Sequence, residues 1–280
     1  MIIVTGAKGQ LGGDVCETLT QKGIANIGID IDDADITDLA ALERFFEKNK
    51  AEAVIHCAAY TAVDKAEDEK EKCFFINAKG TENLAKCCKK FSMKLLYVST
   101  DYVFSGKGET AFSVDSEKGP LNVYGESKLQ GEKAVIENLE RYFIVRTSWV
   151  FGEKNTNFIH TMLRLSETRD TVSVVCDQVG SPTYSRHLAY LLSRMIETEN
   201  YGIYHATNEG FCSWYELASF SLGYAGKDTK VLPVFSKDYP VRAVRPLNSR
   251  LSKKSLDKAG FSRLPSWQDA VREYLDNILR

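Results

Sequence analysis

A chain of 280 residues, 44% hydrophobic and 26% charged with a net charge of −2, has an ordinary globular composition and is long enough to bury a core without disulfide or metal staples. Lys and Arg are scattered among Asp and Glu rather than gathered into a basic stripe, which excludes a nucleic-acid binder, and no apolar stretch approaches the roughly 20 residues that span a bilayer. The seven cysteines are an odd number without Cys-x-x-Cys spacing and read as reduced small hydrophobes, and the opening Met1-Ile2-Ile3-Val4-Thr5-Gly6 lacks a secretory signal, so a cytoplasmic chain is expected.

In chain order, short β-rich apolar runs alternate with helical patterns. Strands are predicted at residues 2–4, 27–29, 53–56, 95–99 and 142–147. Helices are predicted at 10–22, at 39–49 behind an Asp38 N-cap, and at 78–91, with Leu84, Cys87, Cys88 and Phe91 on the apolar face. This is the βαβ rhythm of a Rossmann-type, doubly wound parallel sheet in an α/β fold. Beyond residue 150 the pattern becomes mixed, punctuated by Gly180-Ser181-Pro182, Gly210 and Arg245-Pro246. The expectation is a dinucleotide-binding domain over 1–150 and a smaller α/β, mainly substrate-binding region over 151–280, with strands and helices open to exchange between them. A cleft between the two is the expected site.

The first strand runs into Gly6-Ala7-Lys8-Gly9-Gln10-Leu11-Gly12 and then into a helix. Glycines there permit a tight turn and close backbone approach to a pyrophosphate, which the helix N-terminus attracts. Gly6, Gly9, Gln10, Leu11 and Gly12 are therefore candidate cofactor residues, in the G-x-x-G-x-x-G spacing found among short-chain dehydrogenases. Asp30, at the end of the second strand, is spaced to accept hydrogen bonds from an adenosine ribose, which favours NADH; Lys8 could instead neutralise the 2′-phosphate of NADPH, so both remain open. Asp35 and Ile36 are candidates for the adenine side, with Asp35 equally readable as a loop or capping residue.

Thr100 and Asp101 follow the fourth strand and emerge at the carboxyl edge of the sheet, where ligands bind in open α/β folds. Downstream, Tyr124-Gly125-Glu126-Ser127-Lys128 sets a phenol and an ammonium at i and i+4 on one helix face. With 13 tyrosines about one Tyr-x-x-x-Lys is expected by chance, so its place after both the glycine turn and Thr100 supplies the specificity. A carbonyl that accepts hydride needs a proton donor. Tyr124 is the expected donor, Lys128 is expected to lower its pKa and to hold the nicotinamide ribose, and Thr100 is expected to polarise the carbonyl.

Further segments carry a resemblance: residues 58–67 (Ala-Ala-Tyr-Thr-Ala-Val-Asp-Lys-Ala-Glu), 99–104, 122–128, 146–150 (Arg-Thr-Ser-Trp-Val), 177–183, 212–215 and 245–252. Together with the glycine turn they make the chain resemble the extended short-chain dehydrogenases/reductases, and within them the dTDP-4-dehydrorhamnose reductase family. The resemblance implies reduction by NADPH or NADH of the C4 keto group of a nucleotide-bound deoxysugar. It implies that Ala58, Ala59 and Thr61 line the cofactor cleft. It also implies that Val63, Asp64, Asp101, Trp149, Asn248 and Ser249 face the nucleotide-sugar substrate. On the residues alone Trp149 is equally a core side chain, and Arg245 equally half of a surface ion pair. The other readings are a different sugar-nucleotide 4-reductase or epimerase, or a non-catalytic dinucleotide-binding regulatory subunit. Some members of the family dimerise through magnesium. Asp14 stands at one such position, but Arg186 stands where a glutamate is needed, so the expectation is no metal and a monomer or homodimer.

Overall fold

The structure, a computed structural model, describes residues 1–279. Elements follow in chain order as β1 (Ile2–Thr5), α1 (Gln10–Gln21), β2 (Asn26–Ile29), α2 (Leu39–Lys48), β3 (Ala53–His56), α3 (Val63–Ala66), α4 (Lys70–Phe74), α5 (Thr81–Lys90), β4 (Lys94–Thr100), α6 (Val123–Asn138) and β5 (Tyr142–Thr147). The second half continues with β6 (Val150–Phe151), α7 (Phe158–Ser166), β7 (Thr171–Val175), β8 (Val179–Gly180), β9 (Thr183–Tyr184), α8 (Ser185–Met195) and β10 (Gly202–His205). It ends with β11 (Cys212–Ser213), α9 (Trp214–Tyr224), β12 (Lys230–Val234), α10 (Lys254–Lys258) and α11 (Trp267–Ile278).

Six strands form one parallel sheet in the order β10-β5-β4-β3-β1-β2. Alternate side chains of β1 leave by opposite faces, as a strand requires. Ile2 and Val4 pack with Val15 and Leu19 of α1 and Leu188 and Leu192 of α8. Ile3 packs on the other side with Leu42 and Phe46 of α2, Leu84 of α5 and Val135 of α6. Each such side chain, fully removed from water, contributes about 1.5–3 kcal/mol. With helices on both faces, β1 and β3 are buried along their whole length and read as continuous apolar runs. The pairings Thr5 with His56 and Thr100 with Thr147 align the carboxyl ends of the central strands, so the loops that follow them open on one edge.

The predicted helix at 78–91 starts earlier and is not uniform: α4 passes through a π-helical turn, Phe75–Gly80, into α5. Asn77 gives the reason. Its Oδ1 accepts from Tyr60 N–H at 2.7 Å, and its Nδ2 donates to Tyr60 O at 3.0 Å and to Ser127 Oγ at 2.9 Å, so the turn clamps the loop after β3 to α6. Bulges of this kind concentrate at functional sites.

The second half contributes β10 to the main sheet beside β5, and α8 to the layer over α1. It also builds its own core from Phe151, Ile159, Tyr184, Leu217, Trp267, Val271 and Leu275. Short pairs, β7 with β12, β8 with β11 and β6 with β9, surround that core.

Candidate active site

The turn after β1 is shaped by glycine. Gly6 adopts φ +68°, and a Cβ there would lie 2.7 Å from Ala58 N; a Cβ on Gly12 would lie 2.1 Å from Gly6 O. Gly9 caps α1 without a side-chain hydrogen bond, and the first turn of α1 holds no acidic residue, so the leading N–H groups from Gln10 to Gly12 keep no intrahelical acceptor. A backbone cradle that any Cβ would fill, at an uncapped positive helix end, fits a pyrophosphate. Ala58 seals the turn from the β3 side and donates its N–H to Thr5 Oγ1 at 3.3 Å, followed by Ala59 and the exposed Thr61.

At the end of β2, Asp30 Oδ2 accepts from Lys8 N–H at 3.1 Å and Oδ1 from Ile31 N–H at 3.0 Å, which orients a carboxylate beside the turn. The Lys8 ammonium itself pairs with Asp32 at 2.5 Å on the open surface. Asp35 is tied into its own turn, accepting from Thr37 N–H and hydroxyl, and Ile36 buries its side chain in the core against Gly80. These two therefore shape the wall of the cleft and offer backbone, not free side chains, to a ligand.

Tyr124 opens α6 behind an Asn122 cap whose Oδ1 accepts from Gly125 N–H at 2.8 Å. Gly125 decides where the helix sits: a Cβ there would lie 2.3 Å from Tyr102 O. The absent side chain lets α6 press its first turn onto the Thr100–Tyr102 turn after β4. Tyr124 and Tyr102 meet edge to face at 5.6 Å, and the Thr100 hydroxyl reaches the Tyr124 phenol. One turn on, Lys128 is 2% exposed, its Nζ donating to Val98 O at 2.8 Å and lying 4.1 Å from the Tyr97 ring centroid.

The electrostatics correct one expectation. Tyr124 is not made acidic by Lys128. Desolvation first and the Asp101 carboxyl second push the phenol up, with the Thr100 hydrogen bond only partly opposing them. Lys128 is instead brought down to about 7 by its own burial, which Glu132 opposes. The physical reason is that the ammonium is held under the helix on the Val98 carbonyl. Tyr124 thus keeps its proton at neutral pH, which is the state a proton donor needs.

On the substrate side, Trp149 adopts φ +50°, uncommon for a bulky residue, and stacks on Trp214 with ring centroids 3.8 Å apart. Gly180 makes this possible, since a Cβ there would lie 2.9 Å from both the Trp149 indole and Ser249 Cβ. Val63 and Asp64 begin α3, and Asp64 is clamped by Arg245, with contacts of 3.0 and 2.6 Å. Asn248 is buried and its amide donates to Thr110 O at 2.9 Å while its Oδ1 accepts from Arg250, so it organises the loops rather than presenting a free group. Ser249 Oγ and Asp101 Oδ2 are buried without partners. Sequence reasoning missed Asn77, Gly125, Gly180 and Trp214; for Gly125 the available signal was a helix-breaking residue inside an otherwise helical Tyr-x-x-x-Lys segment.

Among the described residues no group of three or more His, Cys, Asp or Glu side chains could hold a metal, and no helix is long and apolar enough to cross a membrane. Asp14 accepts from the Ser185 hydroxyl and lies 3.5 Å from Lys154 Nζ, while Arg186 pairs with Glu153 at 3.1 Å.

The family model described as RmlD substrate binding domain matches residues 1–280. The chain belongs to that family. Among its relatives is the spore coat polysaccharide biosynthesis protein SpsK of Bacillus subtilis, 38% identical over 274 residues that cover 98% of this chain and 96% of the relative. The dTDP-4-dehydrorhamnose reductase of Mycolicibacterium smegmatis is 39% identical over 276 residues, 97% of this chain and 84% of that one. The crystal structure of the dTDP-4-dehydrorhamnose reductase of Bacillus anthracis in complex with NADP superimposes with a TM-score of 0.96 at 39% identity, covering 99% and 98% of the two chains. The α/β parallel-sheet architecture of the family member described above is the Rossmann type.

Proposed function

We propose that the chain reduces the C4 keto group of dTDP-4-dehydro-L-rhamnose with NADPH or NADH, giving dTDP-L-rhamnose. The observation that carries the reading is the seating of Tyr124 against the Thr100–Tyr102 turn through Gly125, on the same sheet edge as the glycine turn. Full-length relatives named dTDP-4-dehydrorhamnose reductase support the choice of substrate, and the NADP complex of one of them supports the choice of cofactor.

In this reading Gly6, Gly9, Gln10, Leu11 and Gly12 hold the pyrophosphate, Asp30 the ribose, and Ala58, Ala59 and Thr61 the wall opposite, with the Asp35–Ile36 turn beside the adenine. The bound dinucleotide supplies hydride. Tyr124 gives its phenolic proton to the oxygen that becomes alkoxide, and Thr100 donates a hydrogen bond to that oxygen while it is still a ketone. Lys128 holds the nicotinamide ribose. Trp149, backed by Trp214, offers an apolar platform to the deoxysugar, and Val63, Asp64, Asp101 and Ser249, organised by Asn248, complete the substrate side. Residues 1–150 are assigned to dinucleotide binding and 151–280 mainly to substrate binding. We read the protein as cytoplasmic, and as a monomer or homodimer without a bridging metal; Lys154 beside Asp14 supports the latter, since a cation is already there.

The test is a spectrophotometric assay of NADH and NADPH oxidation, in parallel, with dTDP-4-dehydro-L-rhamnose. Net oxidation of added dinucleotide is expected and separates reduction from an epimerase cycle. Tyr124→Phe should bind dinucleotide normally and turn over at least about 100-fold more slowly; an undiminished rate overturns the assignment.

A further inference from the structure

Thr100 has one hydroxyl proton and two claims on it. Its Oγ1 accepts from Tyr102 N–H at 3.2 Å and lies 3.0 Å from Asp101 Oδ1. If Asp101 is a carboxylate it can only accept, so the Thr100 proton is held by Asp101 and cannot reach a ketone. If Asp101 is a carboxylic acid the bond reverses: Oδ1–H donates to the second lone pair of Oγ1, both lone pairs are filled, and the Thr100 proton is free to point into the cleft.

We propose that Asp101 is a positioning residue that works in its protonated form, turning the Thr100 hydroxyl from an acceptor-bound group into a donor aimed at the substrate carbonyl. The inference rests on the reduction proposed above and names the device that readies its carbonyl-polarising group.

The surroundings favour the acid. Asp101 is 3% exposed and its Oδ2 has no partner, so ionisation would leave a desolvated carboxylate oxygen unpaired. The titratable groups that face it are phenols, Tyr102 from its own turn and Tyr124 from α6, and neither supplies positive charge. The nearby cations are committed elsewhere: Lys128 of α6 to the Val98 carbonyl, Arg245 to Asp64 of α3, and Arg146 of β5 to Glu132. From the C-terminal half comes Ser249, an uncharged hydroxyl. Burial, the dominant influence, pushes the Asp101 carboxyl up to about 6, with the Ser249 and Thr100 hydroxyls opposing. A carboxylic acid kept neutral by an apolar site so that it can donate is a known catalytic device.

The test compares Asp101→Asn and Asp101→Ala with the wild type. The asparagine Nδ2 can donate to Thr100 Oγ1 at every pH, whereas alanine cannot. Wild-type kcat/KM for the keto sugar nucleotide should fall as pH rises through the ionisation near 6. Asp101→Asn should lack that limb and stay within about threefold of the wild-type plateau, and Asp101→Ala should lose about tenfold or more, with the KM for dinucleotide unchanged in both. A loss in Asp101→Asn as deep as in Asp101→Ala overturns the proposal, as does survival of the limb in Asp101→Asn. Infrared difference spectra of the free protein give a second readout: a protonated-carboxyl band present in the wild type below about pH 6 and missing in Asp101→Asn. Its absence from the wild type also overturns the proposal. If no keto sugar nucleotide is reduced by any of the three proteins, the functional reading fails, and the infrared arm still decides the state of Asp101.

Discussion

Arg146 on β5 and Glu132 on α6 form a bidentate ion pair, Nε to Oε1 at 2.8 Å and NH2 to Oε2 at 2.7 Å, with both side chains almost wholly withdrawn from solvent. Ser99 Oγ donates to the same Glu132 Oε1 at 2.6 Å, and Arg146 NH1 donates to Val114 O at 3.0 Å. His205 of β10 lies 3.3 Å from Arg146 NH1; its burial and the adjacent guanidinium drive it down to about 3, so it stays neutral there. Glu132 is four residues beyond Lys128, and Ser99 is the residue before Thr100. The pair therefore ties the catalytic face of α6 to the catalytic end of β4.

Breaking this pair leaves an unpaired buried charge. Arg146→Met or Glu132→Leu alone should destabilise by about 3–5 kcal/mol, and the double variant should recover much of that loss, because the attraction in a buried pair is largely offset by desolvation. Urea unfolding of the three variants checks it; simple additivity of the two single losses would contradict the account.

Lys128 carries a stability cost for its function. Its folded-state pKa, about 7, lies below the ordinary 10.5, so the unfolded chain binds the proton more tightly. Stability should decline as pH falls from 10.5 towards 7 and the penalty should be fully present below that. Lys128→Met should raise stability by about 2–4 kcal/mol near neutral pH, by much less at the alkaline end, and should abolish turnover. Thermal melts across pH, alongside the assay, measure both halves.

Asp64 and Arg245 close the substrate side across the chain. Arg245 first, and the Ala243 N–H after it, hold the Asp64 carboxyl down at about 2, so its stabilisation is present above the ordinary 3.8 and is lost as pH falls towards 2. The Asp64 side chain is 47% exposed, and solvent screening limits that contribution to below about 1 kcal/mol. Arg245→Lys, which cannot form the bidentate clamp, should shift melting little yet raise the KM for sugar nucleotide several-fold with the KM for dinucleotide unchanged. Equal changes in both constants would count against the assigned location.

Gly12 and Gly223 make a contrasting pair. Gly12→Ala forces a carbon against Gly6 O and should weaken dinucleotide binding at least about tenfold. Gly223, near the end of α9 with nothing within 4 Å of a Cβ, should tolerate alanine and gain up to about 1 kcal/mol. Fluorescence titration with NADH and thermal melts separate the two effects.

Local signals made much of this legible before folding. Residues 2–4 and 53–56 read as buried strands because their apolar runs are continuous, Asp38 reads as a cap because its oxygen reaches Ala41 N–H, and Tyr124 and Lys128 share a face because helical spacing demands it. The helix through residues 70–90 was seen only from 78 onward, since the π turn answers to Tyr60 and Ser127, which are distant in sequence.

The amino-acid sequence by itself determined the strand–helix alternation, the glycine turn and the identity of the reacting side chains, because each depends on periodicity or on a few adjacent residues. Only the tertiary structure decided which residue lends a charge to which. Arg245 finds Asp64 from 181 positions away, Arg146 finds Glu132 across a helix–sheet contact, and Tyr124, Lys128 and Asp101 take their proton affinities from burial. Desolvation is a property of the packed neighbourhood, and no spacing along the chain encodes it.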